Sequence, residues 1–344
     1  MSAEAATTRT ADQAERSFRS MASPVHLRVV RPGPDVERHL DRAEHVIRTV
    51  ERHCSRFDPA SALSLANAAP DAWHVVPEVL ADAVVEAARA HEETQGVFDP
   101  RVLGVLLAWG YDRSLPFGTD LSLPTTVPAG AAPVPAVPDA GTTSGAPPRA
   151  TLPLPAWRPE VAQDGGVRLL HLGGLPIDLG GIGKGLAVRW AAAELAGAGD
   201  GVLVDAGGDQ HLAGAGPDGP LWRVGVQDPH GGDQPVLVLD VTDTGCATSS
   251  TLLRRWRTGG IDVHHLIDPR TGAPGGAGLV AVTVAAPDPA WSEVWAKALF
   301  LAGADAVAEH AERLGIAAAW VTQDGTIGTS SAMDPAVIWR RDRA

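Results

Sequence analysis

His265 heads the run Leu266-Ile267-Asp268-Pro269-Arg270-Thr271-Gly272, which delivers an imidazole beside a turn stiffened by Asp268-Pro269. An imidazole titrates near neutrality, so it can take and return a proton, and a neighbouring carboxylate suits that role. His265 with Asp268 therefore reads as a general base and its partner, and equally as a half-buried His beside a turn. Zinc held by His264 and His265 together is disfavoured, because adjacent strand residues point to opposite faces. A second candidate is Asp178-Leu179-Gly180-Gly181-Ile182-Gly183-Lys184-Gly185. Its glycines admit positive φ and remove the Cβ atoms that would hold a ligand off, and the helix expected to follow over 186–195 could turn its first amides toward an anion. The same stretch reads as a tight strand-to-helix turn. It is no Walker loop, since Gly185 follows Lys184 where Ser or Thr is needed, and it lacks the Gly-x-Gly-x-x-Gly of a dinucleotide fold. Glu293 and Lys297 lie four apart on one helical face, the spacing of an ordinary surface ion pair.

The elements that position these residues follow from periodicity. Val25–Val30 alternates as a strand, and 35–53 places Leu40, Ala43, Ile47 and Val50 on one helical stripe. A short helix is expected over 60–68 and a longer one over 77–95, stopped near Gly96. Asp99-Pro100 then makes a turn in which Asp99 reads as a turn or N-cap residue. Strands are expected at Val167–Leu172, Gly201–Asp209, Trp222–Pro229, Val236–Val241 and Leu279–Val284, and a helix over 291–301. Several strands in succession point to antiparallel pairing and an α+β fold, not a βαβ repeat.

The chain has 344 residues, 44% of them hydrophobic and 20% charged, enough for a sizeable core. A formal charge of −13 without a basic cluster argues against a nucleic-acid surface and leaves room for a locally bound nucleotide. Cys54 and Cys246 alone exclude a disulfide framework and a Cys-cluster metal site. The start of the chain lacks the apolar core of a signal peptide, and no run reaches the roughly 18 apolar residues of a membrane span, so the expected location is cytoplasmic. Residues 1–17 are expected as a flexible N-terminus. Residues 120–155, dominated by Pro, Ala and Gly, are expected as a disordered insertion within the domain.

In order along the chain, several segments resemble the ApbE family, the FAD:protein FMN transferases: 18–23, Ser55-Arg56-Phe57-Asp58-Pro59-Ala60-Ser61, Thr94-Gln95-Gly96-Val97-Phe98-Asp99-Pro100, Trp109-Gly110-Tyr111, 178–185, Ala206-Gly207-Gly208-Asp209, Ala247-Thr248-Ser249 and 265–272. Any one is weak, but eight in order are specific. The resemblance covers 18–340 outside the insertion. It implies a single large T-fold-like α+β domain with a mostly antiparallel sheet and an FAD cleft. It also implies transfer of the FMN half of FAD to a Ser or Thr hydroxyl of an acceptor flavoprotein with release of AMP, and Mg²⁺ at the pyrophosphate. By position, Met21, Phe57, Val97, Phe98, Asp99, Asp178, Lys184 and His265 would line the FAD site, with Phe57 where an aromatic, often Tyr, is usual. His265, grouped with Asp268, would take the proton of the acceptor hydroxyl.

The implied metal site combines a backbone carbonyl near Gly181 with an Asp and a Thr four residues apart, and those two positions are Glu293 and Lys297 here. A hard cation wants oxygen ligands and an ammonium repels it. Either Lys297 turns away and Glu293 binds Mg²⁺, or the ammonium stands where the ion would. Ser250 also replaces a usual Gly after Thr-Ser, and Ala22 one after Met21. These departures keep open two alternatives: a non-catalytic FAD-binding protein with a degenerate metal site, and an FAD pyrophosphatase giving FMN and AMP.

Overall fold

The computed structural model describes residues 6–115, 125–126 (backbone only), 154 and 156–341. Its centre is one antiparallel sheet of nine strands: β1 (Ala6–Arg9), β2 (Gln13–Ser20), β3 (Ser23–Val30), β4 (Gly201–Ala206), β5 (Asp209–Gly214), β6 (Thr244–Ser250), β7 (Leu279–Ala286), β8 (Ala317–Thr322) and β9 (Ile327–Thr329). Spatial order equals chain order. The α+β, mostly antiparallel reading of the sequence holds.

Alternation explains the strands. In β2, Ala14, Arg16, Phe18 and Ser20 point inward, and in β3 Val25, Leu27 and Val29 do. The 120–155 insertion lies outside the described residues except for 125–126, which run parallel to 256–257, and 154. The N-terminal stretch expected to be flexible differs from that expectation from residue 6 on: β1 and β2 pair along it. The inward Arg16 reaches Asp41 at 2.6 Å, Glu37 at 3.1 Å and Glu44 at 3.3 Å on the first helix. A polar N-terminal sequence can still be ordered when its alternate residues face a core and its one buried cation meets three carboxylates.

That helix, α1 (Val36–Cys54), buries the expected stripe Leu40, Ala43, Ile47 and Val50. With α2 (Ala62–Ala68), α3 (Glu78–Glu93) and α5 (Gly183–Leu195) it covers the face of the sheet formed by β2, β3 and β4. The short α4 (Leu103–Ala108) follows a 3₁₀ turn at Pro100–Val102. On the opposite face Trp222, Val224, Leu237 and Leu239, from a small three-stranded sheet, pack against Leu212, Cys246 and Val321. The helices α6 (Pro289–Ala302) and α7 (Val307–Leu314) close the far end over Val282, Val284 and Ala318. The close crossing of α5 and α6 accounts for one glycine: a Cβ at Gly185 would strike the backbone of Pro289 and Ala290.

Candidate functional site

A cleft of about 590 Å³, part of it open to solvent, lies where α6, the Gly180-Gly181 turn, the 97–100 turn and a β-hairpin converge. The hairpin pairs Arg255–Thr258 with Ile261–His264 about the turn Gly259-Gly260, both at positive φ. Continuing the register past Arg255 opposite His264 sets Arg254 opposite His265, and both line the cleft. Trp256, fully buried, donates its indole N–H to Trp109 O at 2.7 Å, and Trp109 donates to Gly272 O at 3.0 Å, so the hairpin is anchored to α4.

His265 donates its backbone N–H to Arg254 O at 3.2 Å, and its Nδ1 lies 3.3 Å from the same carbonyl. A carbonyl only accepts, so the proton sits on Nδ1 and Nε2 keeps its lone pair. Burial, then Arg254, Lys297 and His264, hold the imidazole well below its ordinary pKa and therefore neutral at pH 7. Arg254 and Lys297 carry no side-chain hydrogen bond or ion pair among the described residues, and both face the cleft. Burial lowers the Lys297 pKa while Glu293 and Asp178 act to raise it. The remaining charges of the wall are internally matched. Arg56 meets Asp178 at 3.1 Å and the Tyr111 carbonyl at 2.9 Å, and Arg101 meets Asp99 at 2.7 Å. The cleft is thus locally cationic in a chain of net charge −13, because net charge does not determine local potential.

The residues expected at the site fall into two groups. Phe57, Val97, Phe98, Asp99, Asp178, Gly181, His265 and Lys297 line the one cleft. Phe57 is 40% exposed, lies 4.1 Å beneath the Arg56 guanidinium and 5.5 Å from the Tyr111 ring, and so offers an open aromatic face. Asp178 also accepts the Gly180 N–H at 2.8 Å, and Asp99 both caps the 3₁₀ turn and binds Arg101. Met21, Lys184, Glu293 and Asp268 do not line it. Met21 occupies the β2–β3 turn at φ 51°, with its N–H held by Glu51 Oε1 at 2.7 Å.

Lys184 turns away from the cleft to an ion pair with Asp209 and approaches Glu293 at 3.7 Å. Burial lowers its ammonium to about 8 against the pull of Glu293. Glu293 is buried and takes the Gly185 N–H on Oε2 at 2.8 Å, so the anion at the start of α5 is a side chain of the protein itself. The surface ion pair expected between Glu293 and Lys297 does not form. Asp268 is corrected as the partner of His265: it accepts the Arg270 N–H at 2.8 Å and binds that guanidinium at 2.8 and 2.9 Å, closing the Asp-Pro-Arg turn on itself.

None of Gly180, Gly181, Gly183 and Gly185 has positive φ. Their value is absent bulk: a Cβ on Gly181 would overlap the Lys297 Nζ and press on Phe98 at 3.0 Å. The Lys297 ammonium therefore lies against the Gly181 turn, and among the described residues no three His, Cys, Asp or Glu side chains group to hold an ion.

Arg254, Arg56 and Asp209 also shape the site, though residue type alone gives them no role there. Arg254 was findable: counting outward from the Gly259-Gly260 turn at equal steps brings residue 254 to 265. The inward turn of Lys184 depends on where β5 places Asp209, a tertiary fact without a local signal.

This antiparallel α+β fold sets a neutral imidazole beside two cations that lack a side-chain partner among the described residues, in an aromatic-edged cleft. A model of the ApbE family matches residues 21–320, and the chain belongs to that family. A Treponema pallidum FAD:protein FMN transferase is 30% identical over 288 residues, covering 79% of this chain and 74% of that protein. The Salmonella typhimurium protein of the same name is 29% identical, over 76% of this chain and 69% of its own. Among solved structures, an ApbE protein of Thermotoga maritima superposes with a TM-score of 0.72 at 22% identity, over 98% of this chain and 100% of that one, which establishes the shared fold. No helix among the described residues is long and apolar enough to cross a membrane.

Proposed function

We propose that this chain transfers the FMN moiety of FAD to a Ser or Thr hydroxyl of an acceptor flavoprotein and releases AMP. The observation that carries the reading is His265, neutral, with Nδ1 turned to the Arg254 carbonyl and Nε2 open, between the unpaired charges of Lys297 and Arg254. Phosphoryl transfer needs little covalent help from a protein. It needs a placed nucleophile, a proton acceptor and cations at the phosphate oxygens. The acceptor oxygen forms its bond to the flavin-side phosphorus while the bond from that phosphorus to the bridging oxygen breaks. The bridging oxygen leaves on AMP, and the hydroxyl proton passes to Nε2 of His265.

Phe57 and Tyr111 provide aromatic surface at the edge of the cleft, and Phe98 with Val97 an apolar wall, for the flavin ring. Asp178 and Asp99, each tied to an arginine, shape the floor. Lys184 and Met21 support the site from behind, the first by holding Glu293 under the loop and the second through the Glu51 clamp on its hairpin. Cys54 and Cys246 are buried and unpaired, their thiols pushed up to about 12 by burial.

The test is incubation with FAD and candidate acceptor flavoproteins, with mass spectrometry for FMN on a Ser or Thr and chromatography for AMP. Adduct and AMP in equal amounts are expected. AMP without any adduct would identify the pyrophosphatase instead, and tight FAD binding with neither product a binding protein.

A further inference from the structure

We propose that the Lys297 ammonium takes the place of the divalent cation, so that this chain holds the FAD pyrophosphate between Lys297 and Arg254 and works without a metal ion. The inference rests on the FAD reading of the cleft and adds how its phosphate charge is met. Three observations lead to it. The Lys297 Nζ lies against Gly181 so closely that no methyl fits there, which puts an ammonium at the turn to which the resemblance assigns the ion. A metal bound at the Gly181 backbone would have to displace that ammonium and then remain beside it.

The one acidic side chain left at the implied site is also committed. Glu293 Oε2 accepts the Gly185 N–H at 2.8 Å, and Oε1 lies 3.7 Å from Lys184. Freeing it for an ion would leave the buried Gly185 amide without its acceptor and take one of two carboxylates from Lys184. A magnesium ion demands a near-octahedral shell of oxygens, and a glutamate already bound on both sides beside an ammonium does not begin one.

The third observation is that Lys297 and Arg254 are left open. Lys184 is closed by Asp209 and Glu293, and Arg56 by Asp178. Lys297 and Arg254 alone among the lysines and arginines lining the cleft lack a side-chain partner among the described residues. A half-buried cation without a partner is unfavourable until an anion arrives. Two such cations facing one cleft match the two charges of a pyrophosphate diester, as one divalent ion would. A lysine supplies a compact charge with three donors, and an arginine a planar fork suited to phosphate oxygens.

The experiment titrates FAD into the full chain, stripped with chelator, in excess EDTA and in excess magnesium chloride. Bound magnesium is counted in the FAD-loaded protein by elemental analysis. Affinity equal within about twofold in the two conditions, and no stoichiometric magnesium, are expected. Lys297→Met, which keeps the aliphatic length and drops the charge, should weaken FAD by about tenfold or more in either condition, the cost of one charge-assisted hydrogen bond. The double variant Glu293→Asp, Lys297→Thr supplies metal oxygens and should bind FAD only with magnesium present. One equivalent of magnesium in the wild-type complex, or affinity raised about tenfold by it, would overturn the proposal while leaving the flavin reading intact. Failure of the wild type to bind FAD in both conditions would remove the flavin reading and this assignment with it.

Discussion

The two sides of the Gly180–Gly185 turn use the same residue types in opposite ways. Behind the turn, Lys184, Asp209, Glu293 and the Gly185 N–H form a closed set in which each charge meets its opposite. On the cleft side, Lys297 and Arg254 face the space around His265 with no carboxylate bound to either among the described residues. Burial is severe on both sides: it heads the causes that lower the Lys184 and Lys297 pKa values. A buried ion stabilises a fold only through its partner, so the first set belongs to the architecture and the second awaits a ligand. A lysine in a Gly-rich turn is thus no sign of phosphate binding by itself; what its ammonium touches decides.

The largest effect expected from the open side is on rate. His265→Ala removes the proton acceptor and should slow FMN transfer by about a hundredfold to ten-thousandfold. FAD affinity should stay near that of the wild type, because the cations remain. Single-turnover transfer alongside an FAD titration separates the two quantities, and an equal loss in both would assign His265 to binding.

The closed side should show its effect in stability. Glu293→Ala leaves the buried Gly185 amide without its acceptor and takes one of two carboxylates from Lys184, which keeps Asp209, and should cost about 1–3 kcal/mol in chemical denaturation. Lys297→Met on the open side removes a cation that has no partner, so unfolding without FAD should be unchanged or shifted toward greater stability. Equal losses for the two variants would erase the distinction between the sides.

Much of this arrangement can be read along the chain, and the unread part has a common cause. The stripe Leu40, Ala43, Ile47 and Val50 is legible because a helix core follows a local period. The cleft residues 57, 97–99, 178 and 265 are legible through ordered motifs, each carried on a turn next to an element end. Pairing choices are the hidden layer. Asp209 captures Lys184 from across the sheet, Arg270 captures Asp268 from two residues away, and Glu51 holds the Met21 turn from α1. The choices at Lys184 and Met21 are made by tertiary distance, which residue type and spacing do not encode, whereas Arg270 competes for Asp268 from within the same turn. Arg254 is the exception, since hairpin register about Gly259-Gly260 carries it to His265.

A pH profile sharpens the comparison at smaller amplitude. Burial depresses the folded-state pKa of His264 to about 4 and of His265 well below the ordinary 6.5. Between pH 6.5 and about 4 the unfolded chain takes up protons that the folded imidazoles refuse, so stability is full above that window and falls as pH drops through it. The slope is at most roughly 1.4 kcal/mol per pH unit for each imidazole. His264 is packed edge-on at 6.0 Å from Phe300, and His264→Asn should flatten the acid limb by one such share in urea titrations across the window. An unchanged slope would mean that His264 protonates in place.

The smallest effect expected is at Asp268, where the residue pattern and the geometry disagree most directly. The pattern makes Asp268 the carboxylate partner of His265, and in that case Asp268→Asn would slow transfer by orders of magnitude, because the base would lose the charge that orients it. The geometry gives His265 the Arg254 carbonyl instead and binds Asp268 to Arg270, whose side chain is 58% exposed. Asn keeps the oxygen that accepts the Arg270 N–H and loses the carboxylate charge and the second oxygen that accepts from the exposed guanidinium. The rate should then stay within about threefold of wild type, with a stability loss of roughly 1 kcal/mol. Transfer rates of Asp268→Asn and Arg270→Ala should agree with each other, since both open the same turn and neither touches the imidazole. A collapse in Asp268→Asn alone would return that carboxylate to the catalytic set and mark the Arg270 pair as its resting state.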